Sequence, residues 1–163
     1  MLSDHPAADI DRAVKRLQAL VEHELDMARV VAFVHPGTPV AWERAGFNHK
    51  SRSFFTPSET RKAERDLAWA FKAALGRREK FHDTVAIVSL FYVPTRRAKD
   101  VDNCAKMVMD SGTQSNIWKD DRLVIAIESR IDLDVERPRT VIAVCPCLGT
   151  LSRAPLLTAT GAI

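Results

Sequence analysis

Apolar positions along this chain switch repeatedly between a helical and a strand-like period. Ile10, Val14, Leu17, Val21 and Leu25 recur every three or four residues, with charges between them, and predict an amphipathic helix over 7–28. That helix has one face to bury, on the core or on a second subunit. Residues 29–35 are β-branched and short, a strand that stops at Pro36-Gly37-Thr38-Pro39. A loop is expected over 44–56. Thr56-Pro57-Ser58-Glu59 then announces a helix, with Thr56 as cap, Pro57 in the first helical position and Glu59 completing a capping box. Leu67, Phe71 and Leu75 form its buried face, and Gly76 is its stop.

Residues 84–93 are apolar on both alternating faces, the mark of a strand covered on two sides. A helix follows from about Asn103 to Ser111, closed by Gly112. Over 123–133, Leu123, Ile125, Ile127, Ile131 and Leu133 alternate with Glu128, Arg130 and Asp132, which predicts a strand; 140–144 makes a last one. The order α-β-α-β-α-β-β specifies a small mixed α/β (α+β) fold, a sheet of about four strands packed with helices, plus an N-terminal helical extension. Residues 1–28 read as that extension, 29–147 as the main domain, and 148–163 as a flexible tail without periodicity.

Composition narrows the class. No apolar run is long enough to span a bilayer, and Met1-Leu2-Ser3-Asp4-His5-Pro6 lacks the order of a signal peptide, so a cytoplasmic protein is expected. Three cysteines, with Cys145 and Cys147 flanking Pro146, fit neither a zinc spacing nor a disulfide framework and read as buried thiols. The net charge of +3 conceals a segregation: residues 1–43 carry −3, residues 44–99 carry +8 and residues 100–163 carry −2. A basic middle third can steer a polyanion toward a site whose own carboxylates would repel it.

Those carboxylates follow at once. Asp100, Asp102, Asp110, Asp120 and Asp121 fall within one short stretch, with Asn103 and Lys106 among them. Acids repel one another unless a cation neutralises them, and hard oxygen donors suit Mg²⁺ or Mn²⁺ better than zinc. On a helix, Asp102, Lys106 and Asp110 share one stripe, while Val101, Cys104, Ala105 and Val108 share the opposite, core-facing one. Asp102 or Asn103 is placed to cap the helix, and the short excursion through Trp118 is expected to return Asp120-Asp121 beside the helix start. Simple i, i+4 ion pairing to Lys106 also accounts for Asp110. A magnesium site beside a positive surface points to phosphodiester chemistry on nucleic acid.

The run Asp100-Val-Asp102-Asn103-x-x-Lys106-x-x-x-Asp110, with Trp118-x-Asp120-Asp121 after it, resembles the signature of RusA-type Holliday junction resolvases. The likeness extends by motif order over roughly 30–145, through the proline turn, the helix from Pro57 and the strand at 84–93. It implies a homodimeric, Mg²⁺-dependent endodeoxyribonuclease, with Mn²⁺ able to substitute, that cuts four-way DNA junctions in a bacterial or phage-infected cell. It further implies that Asp100, Asp102 and Asp121 are catalytic metal ligands and that Lys106 is required for cleavage; Asp120 matches a common acid of the family and is a further candidate metal ligand. Arg44, Lys50, Arg52, Arg61, Lys62, Arg65, Arg96, Arg97 and Lys99 are the expected grip on the phosphate backbone. A broader flap or fork nuclease and a non-catalytic junction binder are the alternatives.

Overall fold

The computed structural model describes residues 5–21, 25–43, 46–48, 52–95 and 99–148. Helix α1 (His5–Leu20) leads into a short 3-10 turn at Met27–Arg29 and strand β1 (Val31–Pro36). A two-stranded hairpin, β2 (Gly46–Asn48) and β3 (Ser53–Phe55), precedes α2 (Ser58–Leu75), β4 (Val85–Val93) and α3 (Val101–Ser115). Strands β5 (Val124–Leu133) and β6 (Arg139–Pro146) complete the chain's regular structure.

The main sheet runs β1-β6-β4-β5. It is mixed: β4 pairs parallel with β5 and antiparallel with β6, and β1 pairs antiparallel with β6. Parallel neighbours need a long crossover, and α3 supplies it between β4 and β5. All nine residues of β4 are buried, because helices cover both faces of the sheet. Val85, Ile87 and Phe91 point into a core shared with Phe71 of α2 and Cys104, Met107 and Val108 of α3. Ala86, Val88, Leu90 and Tyr92 point the other way, onto Ala13 and Leu17 of α1. Leu17 is fully buried, a contribution of about 2 kcal/mol from burial alone. The N-terminal helix therefore docks on the chain's own sheet.

Several local expectations are corrected. Helix α1 ends at Leu20 rather than near 28, and Leu25 instead bridges to Cys147 at the sheet's end. The segment expected as a loop over 44–56 contains the β2–β3 hairpin, with Phe47 opposite Phe54. In α2 the N-cap is Pro57 and no side chain caps it; the boundary lies one residue later than the Thr56 box requires. Gly76 does end α2, with φ at 62°. Helix α3 starts two residues early, with Asp100 as N-cap, and leaves Val101 41% exposed instead of in the core. It also runs past Gly112 to Asn116, whose left-handed backbone closes it. Gly112 serves a different need there: a Cβ at this position would lie 2.0 Å from Cζ2 of Trp118.

Candidate active site

The acidic motif occupies both ends of α3. At its start, Asp100 is extended (φ −71°, ψ 124°) and Asp102 sits in the first turn, where the helix dipole favours a carboxylate. The Asn103 amide donates to Asp100 Oδ2 at 3.3 Å, and the Asn103 N–H donates to Asp102 Oδ1 at 2.9 Å. Both acids are exposed, and neither has an ion-pair partner among the described residues. The segment after the proline turn lies alongside: Trp42 N–H donates to the Asn103 carbonyl at 3.0 Å, and Lys99 Nζ donates to the Pro39 carbonyl. Together they enclose an open groove of about 650 Å³ lined by Trp42, Glu43, Glu59, Lys99, Asp100 and Asn103. Sequence reasoning missed Glu43, which has no motif around it, and assigned Glu59 to a capping box.

Lys106 lies one turn further along. Its ammonium donates to both oxygens of Asp110, at 2.9 and 2.8 Å, and rests 4.9 Å from the Trp42 ring centroid. It makes no ion pair with Asp102, so the i, i+4 pairing expected as a plain explanation of Asp110 is present. Glu64 of α2 faces the same place. Burial and the Asp110 carboxylate push its pKa up, and Lys106 partly offsets them. Nothing in the local sequence of α2 distinguishes Glu64 from an ordinary surface acid; only the packing of α2 on α3 does.

At the far end of α3, Trp118 is the anchor. Its indole N–H donates to Thr113 Oγ1 at 3.0 Å, its ring meets Phe71 edge-on at 5.6 Å, and its backbone bridges to Phe81. That anchor fixes the acidic pair just beyond it. Asp120 accepts from the Arg122 N–H and from both ends of the Arg122 guanidinium, at 2.8–2.9 Å, and these bonds hold its carboxyl well below the usual range. Asp120 is thus occupied as the cap of a 3-10 turn, Asp121–Leu123. Asp121 is exposed and unpaired among the described residues, and it lines a groove of about 340 Å³ with Glu64, Asp110, Thr113 and Lys119.

The structure therefore separates what the sequence had placed side by side. Asp100 and Asp102 lie at the end of β4; Asp121 lies beside the start of β4, where Val85 pairs with Val124. Asp121 shares its groove with Asp110 and Thr113, and Asp110 is eight residues along α3 from Asp102, about 12 Å at 1.5 Å per residue. Among the described residues no three of His, Cys, Asp or Glu come close enough to hold a metal.

Of the expected basic residues, those on α2 flank the site, because α2 packs on α3. Arg61, Lys62 and Arg65 are exposed on α2, and Arg52 is exposed in the turn between β2 and β3 with a left-handed φ of 49°. Arg44, Lys50, Arg96 and Arg97 lie outside the described residues. All three cysteines are free and buried, and burial pushes the Cys145 thiol up to about 12, far from a reactive thiolate. No helix among the described residues is long and apolar enough to cross a membrane.

A family model described as endodeoxyribonuclease RusA matches residues 36–145, about two thirds of the chain. The chain belongs to the RusA endodeoxyribonuclease family. The protein is accordingly a hydrolase acting on DNA, in a family that cuts Holliday junctions in recombination and generally depends on a divalent metal. No curated protein matches the chain. The match spans β1's last residue to β6, so it takes in both grooves of this RusA-family chain but not α1. Its carboxylates are of the right chemistry for a hard divalent cation. Their placement within one chain, two separate groups, does not make a complete site.

Proposed function

We propose that this RusA-family endodeoxyribonuclease is a homodimer that resolves four-way DNA junctions by paired, Mg²⁺-dependent hydrolysis. Recombination, repair or replication in the cytoplasm of a bacterial or phage-infected cell is its setting. One observation carries the reading: the unpaired acids line two separate grooves along α3, Asp100 at its start and Asp121 beside Asp110 and Thr113, two to three turns further on. A two-fold partner in antiparallel orientation brings the Asp121 of each copy toward the Asp100 and Asp102 of the other. The dimer then has two sites, matching a substrate with approximate two-fold symmetry and two strands to cut.

In this reading Asp100, Asp102 and Asp121 are the metal-binding residues. A divalent cation held there would supply an activated water and screen the phosphate charge. The chain's own groups do the rest. Lys106, held between Asp110 and the Trp42 ring, presents a positive charge to a phosphate entering the groove and stabilises charge that develops on it. Trp42 and the Lys99–Pro39 contact keep that wall of the groove in place. Arg52, Arg61, Lys62, Arg65 and Lys99, with Arg44, Lys50, Arg96 and Arg97, grip phosphates and position the duplex arms without reading sequence.

Incubating the purified protein with labelled four-way junction, fork, flap and linear duplex, in Mg²⁺ or EDTA, tests this directly. Symmetric cuts confined to the junction and abolished by EDTA are expected. Equal cutting of forks and flaps would replace the reading by a broader branched-DNA nuclease. Junction binding without cleavage in either Mg²⁺ or Mn²⁺ would leave only a binding module.

A further inference from the structure

The sheet ends at β5, whose one strand neighbour among the described residues is β4. At ten residues it is a long edge, and it contains none of the prolines that usually blunt such an edge. The face it turns toward the α3 side is apolar and poorly covered: Ile125, Ile127 and Leu133 are 40%, 39% and 47% exposed, and Val135 just beyond is 65% exposed. These are four of the seven large apolar residues exposed among the described residues, so the patch is concentrated rather than scattered.

We propose that β5 pairs antiparallel with β5 of a second copy, Ser129 opposite Ser129, joining two four-stranded sheets into one of eight. The pattern of the strand itself selects the partner and the register. With Ser129 at the two-fold axis, Ile127 meets Ile131 and Ile125 meets Leu133 on the apolar face. On the other face Glu128 meets Arg130, twice. Sliding the register by two residues sets Glu128 against Glu128 or Arg130 against Arg130, and like charges directly opposite are destabilising. Sliding it by one turns the apolar face of one strand against the polar face of the other. Arg130 is exposed and has no ion pair among the described residues, so it is free for this contact. Glu128 is held by Arg16 of α1, which fixes its carboxylate at the strand. About Ser129 the apolar positions repeat and the charges of Glu128 and Arg130 are complementary, while Asp132 falls opposite the small Ala126, so the strand fits a second copy of itself.

The pairing deepens the dimer of the proposed function and rests on that reading only for its consequence. Antiparallel strands set the Asp121 end of each β5 against the partner's opposite end, the end of the sheet from which α3 departs.

Sedimentation of the full chain without DNA reads the association by itself. A dimer is expected for the wild type. Arg130→Glu and Glu128→Arg, with unchanged circular dichroism, each should raise the dissociation constant at least about tenfold. An equimolar mixture of the two should associate again, because each mixed pair contains both opposite-charge contacts. Glu128→Arg also loses its bond to Arg16, so Ile127→Lys provides a second way to break the edge without touching α1. A wild-type monomer, wild-type affinity in Arg130→Glu and Ile127→Lys, or no recovery on mixing would overturn the proposal. So would a chain ending at residue 148 that dimerises when the full chain does not, since the tail would then be the occupant. A dimer that behaves as described but cuts no junction would sink the nuclease reading and leave the pairing standing. A junction-cutting dimer indifferent to these substitutions would do the reverse.

Discussion

On the α1 face of the sheet every described arginine that reaches across is matched to a carboxylate, whereas the α2–α3 side holds two matched pairs, Arg122–Asp120 and Lys106–Asp110, beside acids and bases that have no partner among the described residues. Arg139 bonds Asp9 at 2.6 Å and Asp134 at 2.5 Å and stacks 3.8 Å over the Tyr92 ring. Arg16 pairs with Glu128, and Arg12 reaches Asp132 at 3.6 Å and the Tyr92 hydroxyl at 3.0 Å. Across the sheet, Arg61, Lys62 and Arg65 are exposed with no acid paired to them among the described residues, and Asp100, Asp102 and Asp121 have no base. The same residue types thus serve two ends. Matched charges fasten α1 to the sheet. Unmatched acids beside unmatched bases are a poor way to stabilise a fold, and a sound way to hold a cation and a polyanion.

The sharpest break of the comparison is on the unmatched side. Asp102→Asn, an exposed change, should alter stability by less than about 0.5 kcal/mol yet reduce junction cleavage by at least about 100-fold. Asp100→Asn and Asp121→Asn should match it. Thermal melts and single-turnover cleavage on the same preparations decide this; near-wild-type cleavage would remove that residue from the site.

The matched side should answer in the opposite way. Arg139→Met leaves Asp9 and Asp134 without their base and should lower the urea midpoint of unfolding more than any of the three acid substitutions does. Cleavage per folded molecule should not change. Urea unfolding measures the first quantity, and activity at low temperature the second.

A smaller effect belongs to the α2 bases. Replacing Arg61, Lys62 and Arg65 together by Ala should weaken binding to all DNA sequences alike and lower the slope of log affinity against log salt by about one unit per lost contact. Titrations at three salt concentrations give the slope. An unchanged slope would mean that these residues only face water.

The smallest effect is on Glu64. Its pKa is raised above the 4.5 of an ordinary glutamate by burial first and by Asp110 second, against the pull of Lys106. The folded chain therefore keeps this proton to higher pH than the unfolded one. The stability that the proton contributes is full in acid and is lost as pH rises through the folded value. Glu64→Gln should consequently gain on the wild type as pH climbs from about 4.5 toward neutrality. A stability difference that stays constant across that range would contradict the assignment.

Much of this architecture was legible in the chain. The β4 run is apolar on both faces because two helical layers cover it, and such burial leaves an unmistakable sequence trace. Gly76 ends α2 because the backbone there needs a positive φ. Other signals carried a second meaning. Gly112 looks like a helix stop, yet it is small because the Trp118 ring lies on it. Alternation in β5 correctly sorts its two faces but says nothing of what covers them, and at the sheet's edge little does. The hairpin strands are three residues each, too short for periodicity to register. The acids teach the most. Their types and spacing read as one cluster, but α3 divides them between a groove at its start, with Asp100, and a second beside Asp110 and Thr113, with Asp121. Glu64 joins Asp110 and Asp121 from another element, a meeting that only tertiary packing creates.

The central claim, that acids from the two grooves along α3 act together across two copies, is tested most directly by mixing two inactive proteins. Asp102→Asn and Asp121→Asn should each be inert as pure dimers. In a mixed dimer one site gathers both substitutions and the other gathers none. Equimolar mixing, with exchange of subunits, should therefore restore cleavage, and restore it as single nicks in a labelled junction rather than paired cuts. Activity that stays at the level of the separate variants, in a mixture shown by sedimentation to contain mixed dimers, would place each site within one chain and contradict the account.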